Sequence, residues 1–201
     1  MAKNGTIISE LIRAISVVLA ALIPSIIAIT HKRKKKKLEN SKVKSAQNRV
    51  LTDSKIQGLL GVLLNCTNAD RAYIYRFHPK ENPKYFSCAY EQVAPGVSSE
   101  INNRQLLILN EHPIFLEYLN SDSAECYDIN KIVDEQLGKL LRVQGVVNFY
   151  IYPIKNNFKN IIGFVGLDYI HNLQIKDISL LTIALDNFAF QVSDEIINYE
   201  E

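Results

Sequence analysis

Leu63-Leu64-Asn65-Cys66-Thr67-Asn68-Ala69-Asp70-Arg71-Ala72-Tyr73-Ile74-Tyr75 is the stretch in which this chain changes its period. Ahead of it, Val43, Ala46, Val50, Ile56, Leu59, Leu60, Leu63 and Leu64 recur at helical spacing. After it, Tyr73, Tyr75 and Phe77 alternate with Ala72, Ile74 and Arg76, the period of a strand. Thr67-Asn68-Ala69-Asp70 is a turn cluster between them. A helix ends, the chain turns, and a strand starts that stops at Pro79. One face of that strand carries three rings. Ala72 and Ile74 on the other face are expected to pack on helices.

Downstream, Lys80 to Lys84 reads as a hairpin loop and Tyr85 to Val93 as the returning strand. Ala94 to Ser99 is loop, and Arg104 to Asn110 is a short apolar piece. Pro113 stands near the first turn of a short helix, Ile114 to Leu119. Ala124 to Asp128 is a short strand candidate. Ile132 to Val143 has helical spacing, and Gly145 ends it. Val146 to Ile154 and Ile161 to Ile170 form a second predicted hairpin around Lys155 to Asn160. Gly163 and Gly166 inside its second strand signal a bulge or a close approach. From Asp177 to Ile197, the stripe Ile178, Leu181, Leu185, Phe188, Val192 and Ile196 predicts an amphipathic helix. Antiparallel hairpins between terminal helices give an α+β class, with both helices on one face of a central sheet.

Upstream, the region from Leu38 to Asn65 reads as one long helix, or as two with a break near Thr52-Asp53 and Asp53 as a cap. Its stripe falls short of a sustained coiled coil. Before it, Ala14 to Thr30 is uncharged and would span about 25 Å as a helix at ~1.5 Å per residue. A hydrocarbon core is ~30 Å thick, and Ile7, Ile8, Leu11 and Ile12 extend the run. Lys32, Arg33, Lys34, Lys35, Lys36 and Lys37 follow it directly. A signal peptide carries its cations ahead of the apolar run, and a surface helix needs a polar face. The reading is therefore a spanning helix at about 14–30 within region 1–31, a polybasic stalk at 32–51, and a folded domain at 52–201. The cations place the C-terminal domain on the cytoplasmic side. They would also lie on anionic headgroups, each worth ~1 kcal/mol. A nucleic-acid role is disfavoured, because no aromatic residue interleaves with the block to stack on bases.

The totals agree. The chain has 201 residues, 47% hydrophobic and 22% charged, which is a globular composition. Its net charge of +2 averages a basic segment and an acidic remainder. Cys66, Cys88 and Cys126 are an odd number without C-x-x-C spacing, which argues against a disulfide framework and a zinc knuckle. Buried, inert thiols are the simplest reading of all three. His78, His112 and His171 lie far apart in the sequence, so no metal site is expected. Ser98-Ser99 and Cys88 lack a partnered base, so no catalytic residue is assigned.

The junction at Leu63-Leu64 through Asn68 to Tyr75 resembles a GAF domain. So do Gly145-Val146-Val147 through Pro153-Ile154, and Ile162-Gly163-Phe164-Val165-Gly166-Leu167-Asp168. With the closing helix the resemblance covers about Thr52 to Tyr199. It implies a six-stranded sheet, first and last helices on one face that often dimerise, and a pocket on the opposite face closed by the middle loops. Such pockets hold cyclic nucleotides, bilins, haem, small metabolites or nothing. The N-K-x-F-D/E motif of the cyclic-nucleotide members is absent; Asn156-Asn157-Phe158-Lys159 does not match it. Cys126 is followed by Tyr127 and not by the His common in bilin-binding members.

Strand alternation nominates Tyr73, Tyr75, Phe77, Phe149, Phe164 and Asp168 as the lining of a small-ligand pocket. The alternative is that these rings fill a second core. The expected function is a membrane-anchored cytosolic sensor or adaptor that binds a small ligand and forms a homodimer through its terminal helices, with no catalytic output of its own. No cofactor is named. A ligand-free scaffold that recruits a protein partner to the inner membrane face is the alternative. A cysteine-dependent reductase using Cys88 and Cys126 is the remaining one.

Overall fold

The computed structural model describes the backbone of residues 3–79, 82–112, 117, 125–132, 135–171 and 178–198. Side chains are described within those ranges from residue 34 onward, apart from 125–127 and 197–198. The chain divides into two units, Met1–Val50 and Leu51–Glu201.

Helix α1 runs unbroken through Lys3–Thr67. No helix among the described residues is long and apolar enough to cross a membrane. The side chains of the expected span at 14–30, and of Lys32 and Arg33, lie outside the described residues. Lys34 to Lys37 are exposed, as is every residue from 34 to 50.

The second unit starts within α1, where burial begins. Ile56, Leu60, Leu63 and Leu64 are buried and Val62 is exposed, so one stripe of this segment packs. The break considered at Thr52-Asp53 does not exist. Asp53 caps nothing; its Oδ1 accepts from the Tyr90 hydroxyl at 2.6 Å. No proline interrupts this part of the helix, and a side chain paired across to the sheet holds it straight through. The helix ends where the turn cluster predicts. Asn68 sits at φ 51, and Ala69 N–H donates to Leu64 O at 3.2 Å. Asn tolerates that left-handed geometry better than most residues.

Six antiparallel strands follow: β1 (Arg71–His78), β2 (Tyr85–Val93), β3 (Leu107–Ile108), β4 (Glu125–Asp128), β5 (Asn148–Lys155) and β6 (Ile161–Tyr169). Their spatial order is β3-β2-β1-β6-β5-β4. The first and second hairpins therefore meet at β1 and β6 in the middle of the sheet. Edge strand β3 has only two residues, flanked by 3-10 turns at Ile101–Asn103 and Leu109–Glu111. Helix α2 (Glu135–Val143) starts later than the predicted Ile132. A 3-10 turn at Ile129–Lys131 precedes it, capped by Asp128, whose carboxylate accepts from Asn130 N–H. The short helix expected at 114–119 and part of the loop at 80–84 fall outside the described residues. Helix α3 (Ile178–Asn198) closes the described chain.

The sheet has two packed faces. Ala72, Ile74, Val165 and Leu167 meet Ile56, Leu60 and Leu63 of α1 and Leu181, Leu185, Phe188, Val192 and Ile196 of α3. Both terminal helices thus lie on one face, the expected α+β arrangement. On the other face Tyr73, Tyr75, Phe77, Phe86, Phe149 and Phe164 form a second apolar cluster with Leu137 and Leu141 of α2.

Candidate functional site

The register of β1 on β6 sets the site. Arg71 pairs with Asp168, Tyr73 with Gly166, and Tyr75 with Phe164. Strand β5 puts Phe149 opposite Asp168 from the other side. A Cβ on Gly166 would fall 2.1 Å from Tyr73 Cε2, so the missing side chain lets the phenol ring lie across β6. A Cβ on Gly163 would fall 2.2 Å from Tyr75 O. Both glycines mark close approach, and Gly163 also borders the register shift between β5 and β6, where Ile154 pairs with Gly163 but Lys155 with Ile161.

All six nominated residues come together. Tyr73, Tyr75, Phe77, Phe149 and Phe164 share one cluster, with Tyr75 stacked on Phe164 at 4.8 Å between centroids. The Tyr73 hydroxyl donates to Asp168 Oδ1 at 2.9 Å. None of the six is more than 8% exposed.

Three residues not nominated complete the site. Arg104, just after the turn Ile101–Asn103, donates through Nη2 to Asp168 Oδ2 at 2.6 Å. Its guanidinium carbon lies 4.8 Å from the Tyr73 ring centroid, within cation–π range. Gln144 Oε1 accepts from Arg104 Nε at 3.0 Å and also from Nη2. Arg71 Nη1 lies 3.6 Å from Asp168 Oδ2. Arg71 also donates to Gln144 O at 3.3 Å and, through Nε, to Ser98 O at 3.1 Å. Asp168 is 0% exposed and Arg104 1%. Gln144 Nε2 is buried and meets no acceptor among the described residues. Arg71 stood in the opening stretch, but its pattern there says only that a strand begins. Nothing local marks Arg104, which reaches Asp168 across 64 residues.

The electrostatics fix the protonation states. Burial alone would lower the pKa of the Arg104 guanidinium; the Asp168 charge outweighs it and holds the pKa well above its ordinary value. Burial, reinforced by Asp168, pushes the Tyr73 phenol well above its usual range, and burial does the same to Tyr75. Both phenols therefore keep their protons at neutral pH, and Tyr73 donates its own to Asp168. Burial, with Glu91 nearby, raises the Cys88 thiol to about 12, so it keeps its proton at neutral pH. The buried Asp168 carboxylate is matched by the Arg104 guanidinium, with Arg71 beside it.

The three histidines with described side chains do not converge. His78 Nε2 pairs with Ser87 Oγ at 2.9 Å, and His171 Nδ1 with Asp70 Oδ1 at 3.2 Å. His112 packs edge-on to Phe86. Among the described residues no three of His, Cys, Asp and Glu group as metal ligands.

No protein-family model and no curated protein matches the sequence. Solved structures match the fold. A far-red cyanobacteriochrome photoreceptor aligns with TM-score 0.62 and 12% identity, over 85% of this chain and 99% of that one. The PixJ GAF domain of Thermosynechococcus elongatus aligns with TM-score 0.57 and 15% identity, over 77% and 90%. A GAF domain/HD domain protein from Geobacter sulfurreducens aligns with TM-score 0.56 and 18% identity, over 73% and 94%. A domain of a two-component sensor histidine kinase protein from Sinorhizobium meliloti aligns with TM-score 0.54 and 16% identity, over 72% of this chain and 90% of that one. With that strand order and both terminal helices on one face, this chain has the GAF-domain fold, one found in sensor proteins.

Proposed function

We propose that this chain is a membrane-tethered signalling adaptor of the GAF type, with its folded unit on the cytoplasmic side. In this reading it works as a homodimer formed through the outer faces of α1 and α3, and it carries a small-ligand site at Asp168. It performs no reaction of its own. The observation that carries the dimer is the apolar surface left on these two helices. Leu51 and Val62 on α1 are 69% and 60% exposed; Ile183 and Phe190 on α3 are 56% and 80%. Large apolar side chains grouped on helices that already bury their opposite stripe suit a partner surface. A second copy is the partner that offers the same faces in a closed, two-fold arrangement. The tether rests on the uncharged run at 14–30 and the cations that follow it.

The test is sedimentation of the full chain in detergent. The adaptor reading expects a dimer that Ile183→Asp with Phe190→Asp converts to monomer. A monomeric wild type, or a dimer untouched by both substitutions, contradicts it.

A second reading, a ligand-free scaffold, has its own supporting observation. A groove of about 700 Å3 runs between α3 and the β5–β6 turn, lined by Tyr152, Lys155, Lys159, Asp186, Phe190 and Asp194. It offers an aromatic floor and charges of both signs to a peptide segment. A scaffold of this kind would show no gain in thermal stability with any small ligand, whereas a binder gains as RT ln(1 + [L]/Kd).

A further inference from the structure

The turn between β5 and β6 reads Lys155-Asn156-Asn157-Phe158-Lys159-Asn160. Phe158 at its tip is 84% exposed, more than any other large apolar side chain among the described residues. A single exposed apolar residue is ordinary. Three observations set this one apart.

First, the turn is built to present the ring. Asn156 N–H donates to Asn160 O at 2.9 Å, and Lys159 N–H donates to Asn156 O at 2.8 Å. The Asn156 side-chain oxygen accepts from Phe158 N–H at 3.0 Å and from Asn160 N–H at 2.9 Å. Lys159 closes the loop in the left-handed conformation, at φ 62. The backbone is held in place while the ring that it carries stays in solvent. Second, the ring has cations beside it. Lys159 is exposed and Lys155 half-buried, and the six residues of the turn include no acid. Asp186 and Asp194 belong to α3 and line the groove, not the turn, and Asp186 Oδ1 accepts from the Tyr152 hydroxyl at 2.8 Å. Third, the turn stands at a particular end of the folded unit. The Tyr169 hydroxyl donates to Thr67 O at 3.1 Å, so the last residue of β6 meets the end of α1. The turn is at the other end of β6, sharing the groove with Asp194. Thr52 and Lys55 both pair with Glu195, the next residue along α3. This is the end at which the chain enters the folded unit from its basic N-terminal segment.

An aromatic ring beside ammonium groups suits the boundary layer of an anionic bilayer. The ring sits at the level where headgroups meet acyl chains, and lysine stems let the charges reach the phosphates. We propose that the β5–β6 turn is a second membrane contact, in which Phe158 enters the interfacial layer and Lys155 and Lys159 meet anionic headgroups. The inference rests on the membrane tether of the proposed function and goes beyond it, because it assigns the end of the folded unit that faces lipid. Leaflet charge then controls whether that unit lies against the membrane.

The chain contains no tryptophan, so Phe158→Trp places a sole reporter at the tip. The full chain is reconstituted in equimolar phosphatidylcholine and phosphatidylglycerol, and separately in phosphatidylcholine alone, each with and without brominated acyl chains. In the anionic vesicles the emission of Phe158→Trp shifts to the blue and brominated chains quench it. Neither effect occurs in phosphatidylcholine alone, nor after Lys155→Glu with Lys159→Glu. Val143→Trp is the comparison, 82% exposed and just ahead of β5, at the opposite end of that strand from the turn. Its emission stays solvent-like in both vesicles. A solvent-like emission at 158 in anionic vesicles overturns the proposal, and so does equal quenching at 143 or quenching that survives the two lysine changes. A blue shift without quenching means that protein covers the ring, and overturns it as well. Retention through alkaline carbonate is measured separately. A retained chain with solvent-like Phe158→Trp removes this inference and spares the tether. A chain released by carbonate, yet quenched at 158 beforehand, does the reverse.

Discussion

Gly166 lacks a side chain because Tyr73 occupies the space that one would need. Its Cβ would sit 2.3 Å from Tyr73 Cζ, and a rigid ring wedged in a sheet cannot give way cheaply. Gly166→Ala is therefore expected to lower stability by ~1–3 kcal/mol or more, the usual range for overpacking. Thermal unfolding beside Gly58→Ala, where nothing lies within 4 Å, checks this; equal effects of the two would disprove the close approach. The ion pair gives a second residue-scale prediction. Arg104→Leu removes the nearest partner of Asp168 but leaves Arg71 beside it, so it is expected to cost ~1.5–3 kcal/mol, the worth of a charge-assisted hydrogen bond, whereas Asp168→Leu strands both buried guanidinium groups and costs more. Chemical denaturation of both variants reads the difference. Asp70 supplies the pH dependence. Burial pushes its pKa up, but the backbone N–H groups of Ile170 and His171, and then the His171 ring, outweigh it and hold the pKa below its ordinary value. A depressed carboxylate stabilises the fold above its unfolded value of ~3.9, and that contribution is lost as pH falls through the folded value. Asp70→Asn should thus lose stability at neutral pH and show a shallower decline as pH falls through the carboxylate range. A midpoint and slope identical to wild type would contradict this.

At the scale of elements, sequence periodicity carries far because burial is one-sided. Strand β2 matches its predicted limits at Tyr85 and Val93, and β1 alternates rings against aliphatics as its two packed faces require. Helix α2 begins later than the apolar spacing predicts: Ile132 continues that spacing, while Asp128 caps a separate 3-10 turn ahead of it. Periodicity weighs side chains and is blind to such a cap. The candidate site was legible only in part, for a different reason. Its aromatic lining and Asp168 follow from alternation along single strands. Arg71, Arg104 and Gln144 converge from separate segments, and no local pattern reports which distant carboxylate a loop arginine will find. Helix α3 offers the test of one-sided burial. Leu185, 0% exposed, should cost ~2–5 kcal/mol on change to Ala, and Leu180, 65% exposed, less than ~0.5 kcal/mol. Similar costs for both would mean that the assigned buried stripe is wrong.

At the scale of the whole molecule, a basic N-terminal segment precedes a folded unit with the GAF-domain fold. The tether predicts that the full chain stays with vesicles containing anionic lipid through washes in high salt and alkaline carbonate, because a spanning helix is held by apolar burial and not by charge alone. Release by salt would reduce the basic block to a surface contact. Pairing through the terminal helices is the central claim, and photo-cross-linking tests it most directly. A benzophenone amino acid at Phe190 on α3, or at Phe158 on the β5–β6 turn, replaces a side chain that is 80% or 84% exposed, so both probes are accessible. Irradiation of the full chain in vesicles is predicted to yield a covalent homodimer from position 190 and none from 158. Dimers formed equally from 158, or monomer from both positions, would contradict pairing through the terminal helices.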